Sequence, residues 1–156
     1  MTASDDDNPH VIAFPPLLYG ASFAVALLLQ ALQPMTIMPL AIGFWLGIAF
    51  LVCGGAVALW GQRTMRRAGT NVNPSLPATA LVTTGPFRYS RNPLYVALTL
   101  LYVGLALAVN TLWALLVLAP LLVTMRRGVI AREERYLEAK FGEAYRRYRS
   151  DVRRWL

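Results

Sequence analysis

The chain has 156 residues, of which 56% are hydrophobic and only 15% charged, and its mean hydropathy is +0.46. Soluble domains carry about 25% charged residues, so this composition excludes an ordinary soluble domain together with the disordered, fibrous and disulfide-rich classes. Fifteen Lys and Arg against eight Asp and Glu give a net charge of +7, and the placement of those charges sets the class.

No Asp, Glu, Lys or Arg occurs from Asn8 to Gln62 or from Asn92 to Met125. A bilayer core about 30 Å thick takes roughly 20 apolar residues as a helix, so the first silent stretch has room for two spans and the second for a tight pair. The basic residues form two clusters, Arg63, Arg66, Arg67, Arg88 and Arg91 between the silent stretches and ten more from Arg126 to Arg154. That is the bias of cytoplasmic loops facing anionic headgroups, and it argues against a nucleic-acid partner. The expected molecule is all-α, a polytopic membrane protein of one membrane domain with about four transmembrane helices. It is expected in a bacterial inner membrane, with both termini and the 61–91 loop cytoplasmic. Asp5, Asp6 and Asp7 precede the first apolar run without any Lys or Arg, unlike a secretory signal, so that run is expected to stay as a span.

The first span is expected over residues 11–32, with Pro15 and Pro16 near its entry, where missing backbone donors do least damage. The second covers 39–60, where Gly43, Gly47, Gly54 and Gly55 offer small faces for close helix approach and Trp60 suits an interfacial anchor. The 61–91 loop carries Pro74, Pro77 and Pro86 with Gly69 and Gly85, which favours order through turns. Leu94 to Val109 and Leu112 to Met125 are the short arms of a hairpin turning at Asn110 and Thr111, and the second arm runs on into a tail helix. In that tail Ile130, Glu134, Leu137, Phe141, Ala144, Tyr145 and Tyr148 recur at helical spacing, and Gly142 is a candidate break.

His10 and Cys53 are the sole residues of their kinds, which provides neither a metal-ligand set nor a nucleophilic triad. Two polar groups flank the hairpin instead. The first is T-T-G-P-F-R-Y-S-R-N-P-L-Y, Thr83 to Tyr95. There Asn92-Pro93 starts a helix whose free N–H groups either meet an anionic ligand or form an ordinary entry. The second is Arg132-Glu133-Glu134-Arg135-Tyr136. Periodicity turns Glu134 toward apolar surface, where a carboxylate needs a cationic partner, whether Arg88, Arg91, Arg135 or a ligand cation. Tyr136, Phe141, Tyr145 and Tyr148 read as docking residues. The surplus Arg146, Arg147, Arg149, Arg153 and Arg154 reads as a lipid-facing patch.

The two motifs, separated by an uncharged hairpin, resemble the isoprenylcysteine carboxyl methyltransferase family and the related phospholipid methyltransferases over residues 79–152. The resemblance implies an integral-membrane methyltransferase with S-adenosylmethionine as cofactor, S-adenosylhomocysteine as product, no metal, and a lipophilic or amphiphilic small-molecule substrate entering from the bilayer. It implies that Leu81, Val82 and Phe87 line the cofactor pocket, that Asn92, Pro93, Leu94 and Tyr95 hold the cofactor's amino-acid end, and that Glu133 binds it from the tail helix. Arg91 and Glu134 are the adjacent catalytic candidates. The family match thus favours Glu133 as the inward carboxylate where periodicity favours Glu134. Asn92 stands where the eukaryotic pattern has His, and Val129 where the prenylcysteine enzymes have Arg, which leaves Arg126, Arg127 or Arg132 to meet a substrate carboxylate. Two alternatives stand beside this reading. One is a sterol-reductase-like NADPH enzyme, and the other is a non-enzymatic membrane module whose basic tail binds anionic lipid or a partner protein.

Overall fold

A computed structural model describes residues 9–155; the acidic start, Asp5 to Asp7, lies outside the described residues. Among the described residues six α-helices follow one another: α1 Pro15–Leu32, α2 Leu40–Arg67, α3 Pro93–Ala108, α4 Leu112–Thr124, α5 Ala131–Phe141 and α6 Glu143–Asp151. A 3-10 turn at Gly85–Arg88 precedes α3, and a π-helical segment at Met125–Ile130 joins α4 to α5. Pro15–Leu32, Leu40–Arg67 and Leu112–Phe141 are long and apolar enough to cross a membrane, while Pro93–Ala108 is a shorter apolar helix. The hairpin turns where the sequence places it. The helix of the second expected span, α2, runs on past Trp60 to Arg67. Its last turn carries Arg66 and Arg67, whose charge suits the negative end of the helix dipole, and Gly69 at φ +71° follows the stop.

At the uncharged end the two turns are tied together. Asn110 sits in the left-handed region at φ +57°, which Asn tolerates better than most residues. Its Oδ1 accepts the N–H groups of Ile37 at 3.0 Å and Met38 at 3.2 Å, and its Nδ2 donates to the Met38 carbonyl at 2.8 Å. Thr111 Oγ1 is 3.0 Å from Gln30 Oε1, and the Trp113 indole N–H donates to the Gln33 carbonyl at 2.7 Å. These bonds satisfy polar groups that lipid would leave bare.

α2 lies along α3 on a seam of small residues. A β-carbon on Gly47 would stand 2.6 Å from the Gly104 carbonyl oxygen, and one on Gly104 would stand 2.9 Å from the Gly47 carbonyl. Gly43, Gly54 and Gly61 continue the seam, whereas Gly55 faces open space and takes no part in it. Helix pairs in lipid associate through such close backbone approach. Gly47→Leu is therefore expected to force the helices apart at a cost of about 3 kcal/mol or more, read as a lowered Tm in detergent, with Gly55→Leu as the tolerated control.

α1 packs on α4 and touches α3, while α2 packs on α3, and α1 and α2 share no extended contact. The main core joins Tyr19, Tyr102, Met125, Val129 and Ile130, with the Phe23 ring edge-on to Tyr102 at 5.3 Å. Val129 is fully buried there and serves packing. Gly142, at φ +54°, ends α5 and opens α6, as expected of a break. The tail stripe is real for Ile130, Glu134, Tyr145 and Tyr148, which are buried, but Ala144 is exposed. Tyr145 and Tyr148 pack with Val82 and Phe87 in a second, smaller core at the charged end.

Candidate functional site

The 68–92 loop is held in place by its own polar side chains. Thr79 Oγ1 donates to the Gly69 carbonyl at 2.7 Å, the Thr70 hydroxyl accepts the Thr79 N–H at 3.1 Å, and Asn71 Nδ2 donates to the Pro77 carbonyl at 2.8 Å. From the tail, the Tyr136 hydroxyl accepts the Ala78 N–H at 3.0 Å, and the Tyr148 hydroxyl donates to the Phe87 carbonyl at 2.8 Å. Burial, then the nearby Glu134 charge, pushes the Tyr145 phenol up to about 12. Burial likewise raises Tyr148. Both phenols therefore stay protonated at neutral pH, and loop and tail form one wall.

Glu134 is the buried carboxylate that the periodicity points to, and its partners are cationic. Arg154 grips it with two bonds, Nε to Oε1 at 3.0 Å and Nη2 to Oε2 at 2.6 Å. Arg91 touches it once, Nη2 to Oε1 at 3.3 Å, with both side chains 9% exposed. The remaining guanidinium atoms of Arg91, Nε and Nη1, are buried without a hydrogen-bond partner among the described residues. Leaving such donors bare costs about 1–3 kcal/mol each, more when charged, so they mark a place where an acceptor belongs. Glu133 also turns inward, half-buried, and its Oε2 accepts the Tyr95 hydroxyl at 2.7 Å.

Two cavities meet at these residues. The first, about 70 Å³, lies under the loop against the tail and is lined by Leu81, Val82, Phe87, Leu137, Tyr145 and Tyr148 together with Glu134. The second, about 340 Å³, lies between the entry of α1, the charged end of α2 and the start of α3. Phe14, Ala58, Gln62, Arg66, Leu94, Tyr95 and Leu98 line it. Arg91, Asn92, Glu133, Phe87 and Met65 belong to both linings. Joined in this way, the two have the scale of small-molecule sites, about 300–1,000 Å³.

The structure thus gathers Arg91, Glu133, Glu134, Asn92, Leu81, Val82 and Phe87 around the first cavity and puts Leu94 and Tyr95 on the second only. Pro93 is buried at the first turn of α3 and faces neither. Asn92 Nδ2 donates to the Arg154 carbonyl at 2.9 Å and does not cap its own helix. None of Arg126, Arg127 and Arg132 lines either cavity, and Arg132 Nη1 donates to the His10 carbonyl at 2.7 Å. Sequence reasoning missed Arg66, which looks like an ordinary positive-inside residue, and Gln62, an uncharged polar residue at the end of an apolar run. It also missed Arg154, which is not part of a lipid-facing patch. No local signal marks Arg154, because its partner lies on another helix and the chain reaches it only after Val152 turns extended.

A family model described as phospholipid methyltransferase matches residues 42–144, about two thirds of the chain, including α3, α4, α5 and the loop before them. A relative from Haemophilus influenzae, described only as an uncharacterized protein, is 41% identical over 63 residues, which is all of that protein and 40% of this chain. No solved structure matches.

Proposed function

The chain belongs to the phospholipid methyltransferase family, and from that premise we propose that the two joined cavities are the site of an S-adenosylmethionine-dependent methyl transfer to a lipophilic or amphiphilic substrate. The observation that carries the reading is that Arg91, with Nε and Nη1 buried and unpartnered among the described residues, lines both cavities together with a carboxylate, Glu133. A zwitterionic amino-acid group needs both an acceptor and a donor. An unpartnered N–H group of Arg91 suits its carboxylate as a charge-assisted contact, and Glu133 suits its ammonium. Tyr95 fixes Glu133 through the 2.7 Å bond. Leu81, Val82, Phe87 and Leu137 give the apolar walls that an adenosine would contact. The residues present therefore fit the group.

Bound there, S-adenosylmethionine would supply a sulfonium-activated methyl group for direct displacement by a nucleophile, chemistry in which placement and a dry site contribute most. The chain's part is to orient. Arg91 and Glu133 fix one end of the donor, and the wall they share with the second cavity puts a nucleophile held by Gln62, Arg66 or Tyr95 beside it. That second cavity lies where α1 and α2 share no extended contact. A gap between two apolar helices is a route by which a substrate with a hydrocarbon tail can arrive from the bilayer. In this reading the basic end faces the cytoplasm of a bacterial inner membrane.

Calorimetry on the detergent-purified protein tests the reading. S-adenosylhomocysteine is expected to bind without displacement by NADPH, and Glu133→Ala is expected to weaken it about tenfold or more, the loss of one charge-assisted contact. Absence of binding to the unaltered protein, or displacement by NADPH, would overturn it.

A further inference from the structure

We propose that Arg154 is a positioning residue, whose grip on Glu134 keeps the unpartnered N–H groups of Arg91 available to the carboxylate of the methyl donor. The proposal rests on the cofactor reading above and goes beyond it, since Arg154 lines neither cavity. Both Arg91 and Arg154 reach Glu134, but unequally. Arg154 holds both carboxylate oxygens at 3.0 and 2.6 Å in the forked geometry that suits a guanidinium. Arg91 is left a single 3.3 Å contact on an oxygen that is already shared. Because Glu134 is satisfied from the outside, the Nε and Nη1 atoms of Arg91 stay unpartnered.

The charges lead to the same conclusion. Arg91, Arg154 and Glu134 together carry one positive charge, which an incoming carboxylate can neutralise. Without Arg154, Arg91 and Glu134 form a neutral pair. The carboxylate of Glu134, buried and unmatched, would then take the Arg91 fork for itself. Arg154 is not held by this contact alone. The Arg153 carbonyl accepts the Arg91 N–H at 2.9 Å, and the Arg154 carbonyl accepts Asn92 Nδ2 at 2.9 Å and the Ser90 hydroxyl at 3.3 Å. The strap that carries Arg154 is thus bonded to the segment that carries Arg91, so the two guanidiniums keep their relative places.

The test compares S-adenosylmethionine with its decarboxylated analogue by calorimetry on purified protein, in the unaltered chain, Arg154→Ala and Arg154→Ala/Glu134→Gln. In the unaltered chain the parent compound is expected to bind more tightly than the analogue. In Arg154→Ala its affinity is expected to fall about tenfold or more while the analogue's changes by less than about threefold. The double variant, which removes the competing carboxylate, is expected to recover the parent compound's affinity to within about threefold of the unaltered chain. Equal weakening of both compounds in Arg154→Ala, no weakening of either, or no recovery in the double variant would overturn the proposal. Absence of binding to the unaltered chain would overturn the cofactor reading itself, and this proposal with it.

Discussion

Arg91→Ala is expected to lower affinity for S-adenosylmethionine by about tenfold or more. A charge-assisted bond is at stake, worth about 1.5–3 kcal/mol, and a tenfold change corresponds to about 1.4 kcal/mol. The fold should survive, because Glu134 keeps its two bonds from Arg154 and the backbone bond from the residue 91 N–H to the Arg153 carbonyl does not need the side chain. Arg91→Lys should rescue little of the loss, since a compact, strongly hydrated ammonium does not place its donors where the planar guanidinium holds them. Binding titrations alongside thermal melts check both halves. Near-normal affinity in Arg91→Ala would remove Arg91 from the site.

Blocking the second cavity should have the opposite signature. Ala58 lies on α2 in its wall and contributes no polar group. Ala58→Trp would fill much of the roughly 340 Å³ with an indole. Methyl transfer is expected to fall about a hundredfold, the scale of a reacting group displaced by about 1 Å, while affinity for S-adenosylhomocysteine stays within about twofold. Transfer assays in proteoliposomes paired with calorimetry separate the two. Loss of cofactor affinity along with transfer would show that the two cavities do not serve two different ligands.

Much of the scaffold was legible in the sequence because lipid imposes strict rules. Charge-free stretches marked the helices, the arginines marked one end, and Asn110 marked a turn that needs a left-handed residue and a polar side chain to tie backbone groups. Hydropathy falls where charges begin and so marks the apolar span, whereas the helix itself persists to Arg67. The inward face of α5 was half legible. Periodicity found Glu134, and the family resemblance singled out Glu133. The structure turns both inward, one to arginines and one to Tyr95. The π-helical segment just before them shifts the register that a simple 3.6-residue period extrapolates. The second cavity and Arg154 were not legible. Both depend on segments far apart in the chain, with Phe14 meeting Gln62 and Leu98 at one and Arg154 meeting Glu134 at the other. Spacing within one helix carries no information about such meetings.

The central claim is that the charged end of the bundle passes a methyl group from a donor held by Arg91 and Glu133 to a substrate arriving from the bilayer. The most direct measurement incubates membranes containing the protein with S-adenosylmethionine radiolabelled on its methyl group, extracts them with organic solvent and counts the extract. Label is expected in the extract for the unaltered protein and at background for Arg91→Ala and Ala58→Trp. Label at the same level in all three, or none above protein-free membranes in any, would contradict it.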